Sequence, residues 1–434
     1  MKLSRFEIEG LFGRYNYYFQ LDSESNYLIL TGPNGYGKTT ILTIINALAK
    51  SDLFYFYSLP FLSVKLLLAD GCCLFVTAKT ILDESDAQDT PNEGNKEIEF
   101  KWINVDQSES KFVINGKIVR KAIRSIGYYE GRRLRSDVVS SKDFHDFARR
   151  NPRMLQIIAQ EQNSGNAFLL QIKSLATVFI EAQRILKPKV SKQIDLDETE
   201  YLTSMVDYTI DDVAKRIKQR IRRAKYDFLS FSQEKDNQFI NKLINDTFSR
   251  LTQQEYEEKR KKLIEQTREL YSYDLIDNVI IPEYSESHGN ELSAYIQDIS
   301  EKFEKLDDIC GKLKLFTDII ERKGFTAKKV SFSVEKGIRV QTDDFKWISL
   351  SDLSSGEQNI IIMLYYLVFE FGKNKLLLID EPEISLHIAW QFQYIDDLER
   401  ILKLTEGQAI IATHSPQIIG ERWEKCFDLT SQCK

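Results

Sequence analysis

Cysteine is scarce and unpatterned in this chain. Cys72, Cys73, Cys310, Cys426 and Cys433 are odd in number and never spaced C-x-x-C. That argues against a disulfide framework or a zinc knuckle, and the expectation is reduced thiols in a cytoplasmic protein. A surplus of positive charge is also missing. Lys and Arg number 59 against 65 Asp and Glu, a net charge of −6, so the chain as a whole is not built to coat nucleic acid or an anionic membrane. A local basic face stays possible. Apolar runs are short: those around 53–68 and 360–369 are cut by Lys65 or end too soon to cross a bilayer, so no membrane partner is expected. Residues 1–7 lack the apolar block of a signal peptide, and neither H-E-x-x-H nor a Cys–His set occurs. What remains is 42% hydrophobic and 29% charged over 434 residues, a globular balance with room for more than one domain.

The stretch that organises the rest is Gly32-Pro33-Asn34-Gly35-Tyr36-Gly37-Lys38-Thr39, followed by Thr40. It reads G-x-x-x-x-G-K-T, with an apolar run of strand length (27–31) before it and helical spacing (40–48) after it. Glycines let the backbone curl and turn its N–H groups inward, and the positive end of the helix dipole faces the same point. A triphosphate fits there. Lys38 would reach the β- and γ-phosphates of ATP, and the Thr39 hydroxyl would take one position on Mg²⁺.

Around this motif the first part of the chain reads as β. Strands are expected at 2–8, 15–21, 64–68, 73–78, 98–105 and 111–119, with a hairpin at Asp70-Gly71 and a solvated acidic loop at 83–95. Phe12-Gly13-Arg14-Tyr15 is either an exposed hairpin tip or a cation and ring set against a purine, so Arg14 is a candidate nucleotide contact. From 140 to 323 the pattern turns helical. One helix is expected at 167–186. A second carries Val213, Ile217, Ile221, Ala224 and Phe228 on one side and Lys215, Arg216, Lys218, Arg220, Arg222, Arg223 and Lys225 elsewhere, which suits a phosphate backbone, an acidic partner or plain solvent. A third, striped from Leu292 to Ile320 with Gly324 as its cap, would be roughly 45 Å long, yet heptads are not sustained as in a long coiled-coil arm. Strand character returns at 330–334 and 338–342. The spacing therefore predicts three segments: 1–139, a helical insertion at 140–325, and 326–434.

The last segment completes a site. Leu353-Ser354-Ser355-Gly356-Glu357-Gln358 opens an apolar helix, and the buried run 375–379 ends in Asp380-Glu381-Pro382. Then come Glu383-Ile384-Ser385-Leu386-His387, an amphipathic stretch with Phe392, Ile395, Leu398 and Leu402, and the run 409–413 ending in His414-Ser415-Pro416. A carboxylate at a strand end is a hard oxygen donor, so Asp380 can hold Mg²⁺. Glu381 beside it can orient or deprotonate a water aimed at the γ-phosphate.

In this order the motifs resemble the ABC-type ATPases, in particular the branch of RecF, the SMC proteins and OLD-like ATPases. The run from Asp380 to His387 with Ala412-Thr413-His414-Ser415-Pro416 is similar to ATPase subunits of bacterial anti-phage cassettes, such as AriA of PARIS and PtuA of Septu. The resemblance implies an α/β fold, an ABC-type P-loop nucleotide-binding domain of mixed sheet and helices split by a large α-helical insertion. It implies that His414 is the switch histidine, that His387 lies in the D-loop, and that Ser354, Ser355 and Gly356 close over ATP held by a second copy. Lys38, Glu381 and His414 would then be catalytic, Thr39 and Asp380 the metal residues, and ATP the glue of a homodimer or higher oligomer. Ser355 and Glu357 depart from the commoner glycine and glutamine. No Q-loop glutamine stands out, and Glu130 or Arg132 in 125–133 are substitutes for it. No acidic cluster of a Toprim nuclease follows Pro416, so the expected output is a sensor or regulatory scaffold for a separate effector, which the resemblance implies is a nuclease. The alternative is a DNA-repair ATPase of RecF or SMC type that binds nucleic acid.

Overall fold

The computed structural model describes residues 2–21, 26–80, 96–118, 121, 153–181, 209–245, 249–323, 325, 327–386 and 388–432. Contacts divide the chain into two compact units, one formed by 1–187 together with 371–434 and the other by 188–370. The chain thus leaves the first unit once and returns to it, at boundaries other than those the composition suggests.

The first unit begins with β1 (Leu3–Leu11), β2 (Tyr15–Gln20), β3 (Tyr27–Thr31), α1 (Lys38–Ala49), α2 (Tyr55–Ser58), β4 (Ser63–Leu68), β5 (Cys73–Thr80), β6 (Lys96–Ile103), β7 (Glu109–Asn115), α3 (Arg153–Gln160), α4 (Gly165–Ile172) and β8 (Thr177–Ile180). Six of these strands form an antiparallel sheet in the order β2-β1-β4-β5-β6-β7. Their alternation is that of a sheet covered on one face. Ile98, Phe100, Trp102, Phe112 and Ile114 point inward, and the Phe56, Phe112 and Phe168 rings surround Phe100 with centroids 5.5–6.3 Å away.

The second unit contains α5 (Ile210–Ile244), α6 (Gln253–Ser272), α7 (Gly289–Phe303), α8 (Asp307–Arg322), β9 (Lys328–Ser333), β10 (Gly337–Thr342), β11 (Trp347–Ile348) and α9 (Ser355–Tyr365). Thr209 and Thr252 open α5 and α6 with capping boxes, so both starts are set locally. The cations of α5 are not a free row. Arg220 donates to Glu370 Oε1 at 2.9 Å, Arg216 lies 3.9 Å from the same oxygen, and Arg222 donates to the Val334 carbonyl.

Back in the first unit the chain runs through β12 (Leu376–Asp380), α10 (Ile388–Gln391), α11 (Tyr394–Thr405), β13 (Gln408–Ala412), α12 (Pro416–Ile419) and β14 (Cys426–Asp428). These strands join β3 and β8 in a parallel sheet ordered β14-β3-β13-β12-β8. Every residue of β12 and β13 is buried, as expected of parallel strands covered on both faces. The Gln408 side chain fixes the start of β1 to this sheet, accepting from Leu3 N at 2.8 Å and donating to Leu3 O at 3.1 Å.

Several expectations need correction. Residues 167–186 are not one helix: α4 stops at Ile172, and Thr177–Ile180 is the edge strand β8, paired with β12 from Leu376↔Thr177 onward. Tertiary pairing overrides a helical pattern there, since a threonine followed by three apolar residues is too short a run for periodicity to tell strand from helix. The helix expected across 292–320 is broken by a 3₁₀ turn at Glu304–Leu306, so its two parts are shorter than 45 Å suggests. The 111–119 strand ends at Asn115, and the apolar helix after Gln358 gives way at Tyr366–Glu370 to a π-turn. Phe392 precedes α11 and is exposed, whereas Ile395, Leu398 and Leu402 are buried on it. The loop 83–95, Gly324, His387 and the segment 125–133 lie outside the described residues. The described cysteines, Cys72, Cys73, Cys310 and Cys426, form no disulfide, and among the described residues no helix is long and apolar enough to cross a membrane.

Gly337 carries the tightest constraint in the second unit. It turns β9 into β10 at φ 76°, and a Cβ there would meet the Ala214 carbonyl oxygen of α5 at 2.1 Å. Gly337→Ala is expected to cost about 3 kcal/mol in urea unfolding, against about 1 kcal/mol for Gly13→Ala, whose φ is 71° but whose surroundings are open. Equal losses would show that backbone conformation alone, not the approach of α5, demands glycine.

Candidate functional site

In a parallel sheet all strands end on the same side, and here that side gathers the motifs. The register pairs Leu30 of β3 with Ala412 of β13, and Ala412 with Asp380 of β12. β12 is thus one strand removed from β3, and the strand leading to His414 runs between them. Residues 32–39, 380–383 and 413–414 leave the sheet at one level.

The P-loop turn is built on positive-φ glycines, Gly32 at 137°, Gly35 at 88° and Gly37 at 89°, the last being the N-cap of α1. Among the described residues no side chain caps this helix, which leaves its first N–H groups suited to an anion. Pro33, Asn34, Gly35 and Thr39 are exposed, Gly32, Tyr36, Gly37 and Thr40 half-buried, and Lys38 is 5% exposed. The β1–β2 turn packs on the P-loop: Tyr15 stacks on Tyr36 at 5.3 Å and Tyr17 donates to the Tyr36 carbonyl at 2.8 Å. This sets Arg14, itself exposed, on a turn beside the P-loop.

The Lys38 ammonium has three protons and three acceptors. It donates to Gly32 O at 2.7 Å and Pro33 O at 3.2 Å and lies 2.5 Å from His414 Nε2, which as acceptor leaves the imidazole proton on Nδ1. Burial lowers the Lys38 pKa, while the nearby charges of Glu381, Asp380 and Glu383 act to raise it. Thr39 Oγ1 donates to Asp380, 2.9 Å from Oδ2 and 3.1 Å from Oδ1. Asp380 is 5% exposed, and burial, with lesser repulsion from Glu381 and Glu383, pushes its pKa up to about 6 against the pull of Thr39 and Lys38.

Glu381 adopts a left-handed conformation, φ 44° and ψ 59°, while its N–H still bonds to Ala412 O at 2.8 Å. This reverses the chain just past the strand and sends the side chain off the sheet edge, a strained geometry typical of functional positions. Its Oε1 lies 3.9 Å from His414 Nε2. Glu383, which the sequence did not single out, accepts from Thr413 Oγ1 at 2.8 Å and from His414 N at 2.9 Å. Its one signal is that it is the third acid in the run 380–383.

The serine–glycine motif lies in the second unit. Ser354 is the N-cap of α9, and Glu357 returns a carboxylate to the Ser354 N–H at 2.9 Å. The departure at Glu357 is therefore a capping box, legible as S-x-x-E. Burial opposes its charge, but Lys328 at 2.7 Å and the Ser354 groups hold its pKa below the ordinary value. Ser354 and Ser355 are exposed and Gly356 half-buried.

Among the described residues no cluster of three or more His, Cys, Asp or Glu can cage a metal. One hydroxyl and one carboxylate are instead the kind of donor set that holds Mg²⁺ together with substrate phosphates.

The AAA ATPase domain family matches residues 1–419, and the chain belongs to that family. Protein ea59 of Escherichia phage lambda is 33% identical over 98 residues, 20% of this chain and 19% of that protein. An uncharacterized chromosomal cassette SCCmec type IVc protein, CR006 of Staphylococcus aureus, is 25% identical over 263 residues, 52% of this chain and 35% of its own length. The chain thus spans a fifth to about a third of these relatives. Among solved structures, the Smc head domain with an extended coiled coil bound to the C-terminal domain of ScpA from Pyrococcus furiosus aligns over 96% of this chain and 91% of its own at 13% identity and TM-score 0.33. The SMC head domain from Thermotoga maritima aligns over 98% and 92% at 11% identity and TM-score 0.32.

A carboxyl whose pKa is 3.8 when unfolded and about 6 when folded binds more protons in the native state between those values. Its contribution to stability is therefore present below pH 3.8, falls as pH rises through that window and is lost above it. Asp380→Asn keeps an acceptor for Thr39 and cannot ionise. It is expected to raise the unfolding free energy by up to about 3 kcal/mol at pH 8 and to change it little at pH 4, in urea titrations without nucleotide. The same gain at both pH values would refute the buried-charge account.

Proposed function

We propose that the chain binds and hydrolyses ATP as a dimer or higher oligomer of identical copies, and that this cycle regulates a separate effector. The observation that carries the reading is the convergence of Lys38, Thr39, Asp380, Glu381 and His414 at one sheet edge. Membership of an ATPase family supports the reaction itself.

In this reading the P-loop N–H groups from Gly35 to Thr40 bind the phosphates, and Arg14 approaches the nucleotide from the neighbouring turn. Lys38 exchanges its carbonyl and imidazole acceptors for β- and γ-phosphate oxygens. Thr39 and Asp380 would hold Mg²⁺, which would supply neutralisation of phosphate charge. Glu381 positions the attacking water and accepts its proton, and His414, released by Lys38, turns to the γ-phosphate. Ser354, Ser355 and Gly356 of one copy offer an exposed helix N-terminus that closes over the nucleotide of the other. Loss of the γ-phosphate then opens the assembly, which converts turnover into a signal.

The curated relatives are proteins of a phage and of a chromosomal cassette, which agrees with a role in bacterial anti-phage defence; a nuclease as the effector class rests on the motif resemblance alone. A second reading, a RecF- or SMC-like DNA-binding ATPase, draws on the exposed Lys215, Arg222 and Arg223 of α5. ATP-dependent, salt-sensitive retention of plasmid DNA would favour it.

Two variants test the cycle. Lys38→Ala should lose ATP binding by at least tenfold in equilibrium dialysis. Glu381→Gln should bind ATP, release phosphate at under one hundredth of the wild-type rate, and elute at twice the monomer mass in ATP. A monomeric Glu381→Gln with normal turnover would overturn the assignment.

A further inference from the structure

We propose that Glu383 is a positioning residue for the switch histidine, setting His414 through its backbone. The inference rests on the ATPase reading above and deepens it. One carboxylate oxygen, Oε1, accepts from both the Thr413 hydroxyl at 2.8 Å and the His414 amide at 2.9 Å. The neighbours of His414 are buried, Thr413 at 0% and Ser415 at 8% exposure, while the imidazole stands out to about a third. An exposed ring is thus carried on a clamped frame.

The frame is closed from within. Thr413 Oγ1 also accepts from Ser415 N at 3.0 Å, so the hydroxyl is held by one donated and one accepted bond. A second bridge runs parallel to the first: Gln391 donates to the Glu383 carbonyl at 3.3 Å and accepts from Ser415 Oγ at 3.0 Å. Glu383 lies two residues beyond Glu381, in the short 3₁₀ turn that Glu381 opens. The strand end that carries Glu381 and the strand end that carries His414 are therefore cross-braced by one carboxylate.

Plain structural duty explains this carboxylate poorly. Its other oxygen, Oε2, is buried and has no hydrogen-bond partner among the described residues. A buried oxygen of this kind costs stability that a neutral side chain would avoid, and such groups need a reason to persist. Here the charge strengthens both bonds that hold the 413–414 backbone, since an ionised acceptor binds N–H and O–H donors about twice as strongly as a neutral one. With the backbone fixed, the imidazole can change partner from Lys38 to a phosphate by side-chain rotation alone.

The test compares Glu383→Ala and Glu383→Gln with His414→Ala. Glu383→Ala should lower kcat for ATP 10- to 100-fold with KM changed less than threefold, and Glu383→Gln, which keeps an acceptor, should recover most of it. The double variant Glu383→Ala/His414→Ala should be no slower than His414→Ala, because residues acting through one group are not additive. In the absence of nucleotide, hydrogen exchange of the peptide 409–417 should speed at least tenfold in Glu383→Ala and by a smaller factor in Glu383→Gln, whose neutral oxygen holds the same two donors more weakly. Multiplicative losses, or unchanged exchange in Glu383→Ala, would overturn the proposal. Should Glu383→Ala not fold, Thr413→Val removes the same donor and must reproduce the exchange effect. A wild-type protein without Lys38-dependent turnover would remove the ATPase reading instead, and the exchange comparison would still decide the clamp.

Discussion

Three parallel strands ending at the same level are the constraint on which the site depends. Leu30, Ala412 and Asp380 stand side by side across β3, β13 and β12, so the chain emerges from all three at one edge. A slip of two residues in either ladder would move one motif by about 7 Å, more than twice a hydrogen bond. The hydrogen bonds from Thr39 to Asp380 would then be out of reach. Complete burial of β12 and β13 resists such a slip, since register on a two-sided apolar strand is held by packing against α1 on one side and the rest of the core on the other.

At that edge burial and charge oppose one another. Lys38 and Asp380 are each 5% exposed, and burial drives both toward their neutral forms. Lys38 is held charged by Asp380, Glu381 and Glu383, and Asp380 by Thr39 and Lys38, whereas Glu381 and Glu383 push Asp380 the same way as burial does. Opposite charges arriving from outside, phosphate at Lys38 and a dication at Asp380, would relieve both. Stability and ligand binding are therefore coupled at this site through the same few groups. The left-handed Glu381 and the half-satisfied Glu383 belong to the same pattern, local costs that the surrounding core sustains.

Much of this was legible locally. The P-loop needs glycines at fixed spacing, so G-x-x-x-x-G-K-T before a helix announces both conformation and chemistry. The β1–β2, β4–β5 and β9–β10 pairs follow from alternation and turn residues. Other features were not. β8 is four residues long, and only its place beside β12 makes it a strand. The break at Glu304–Leu306 leaves the apolar stripe of its helix intact, so periodicity does not reveal it. Glu357 is a different case: its S-x-x-E spacing from Ser354 marks a helix cap locally, although it reads first as a departure from the commoner glutamine.

By itself the amino-acid order marked the groups proposed to carry chemistry and their local geometry: the P-loop, the acidic pair after an apolar run, the histidine after another, and the helix that opens at the serines. These follow from backbone sterics and short-range hydrogen bonding, which act over a few residues. Tertiary structure alone decided that β13 lies between β3 and β12, that Lys38 rests against His414, and that Glu383 holds the histidine's backbone. Such contacts join residues up to 376 apart along the chain, and strand order across that distance is chosen by how buried faces pack, which no local pattern encodes.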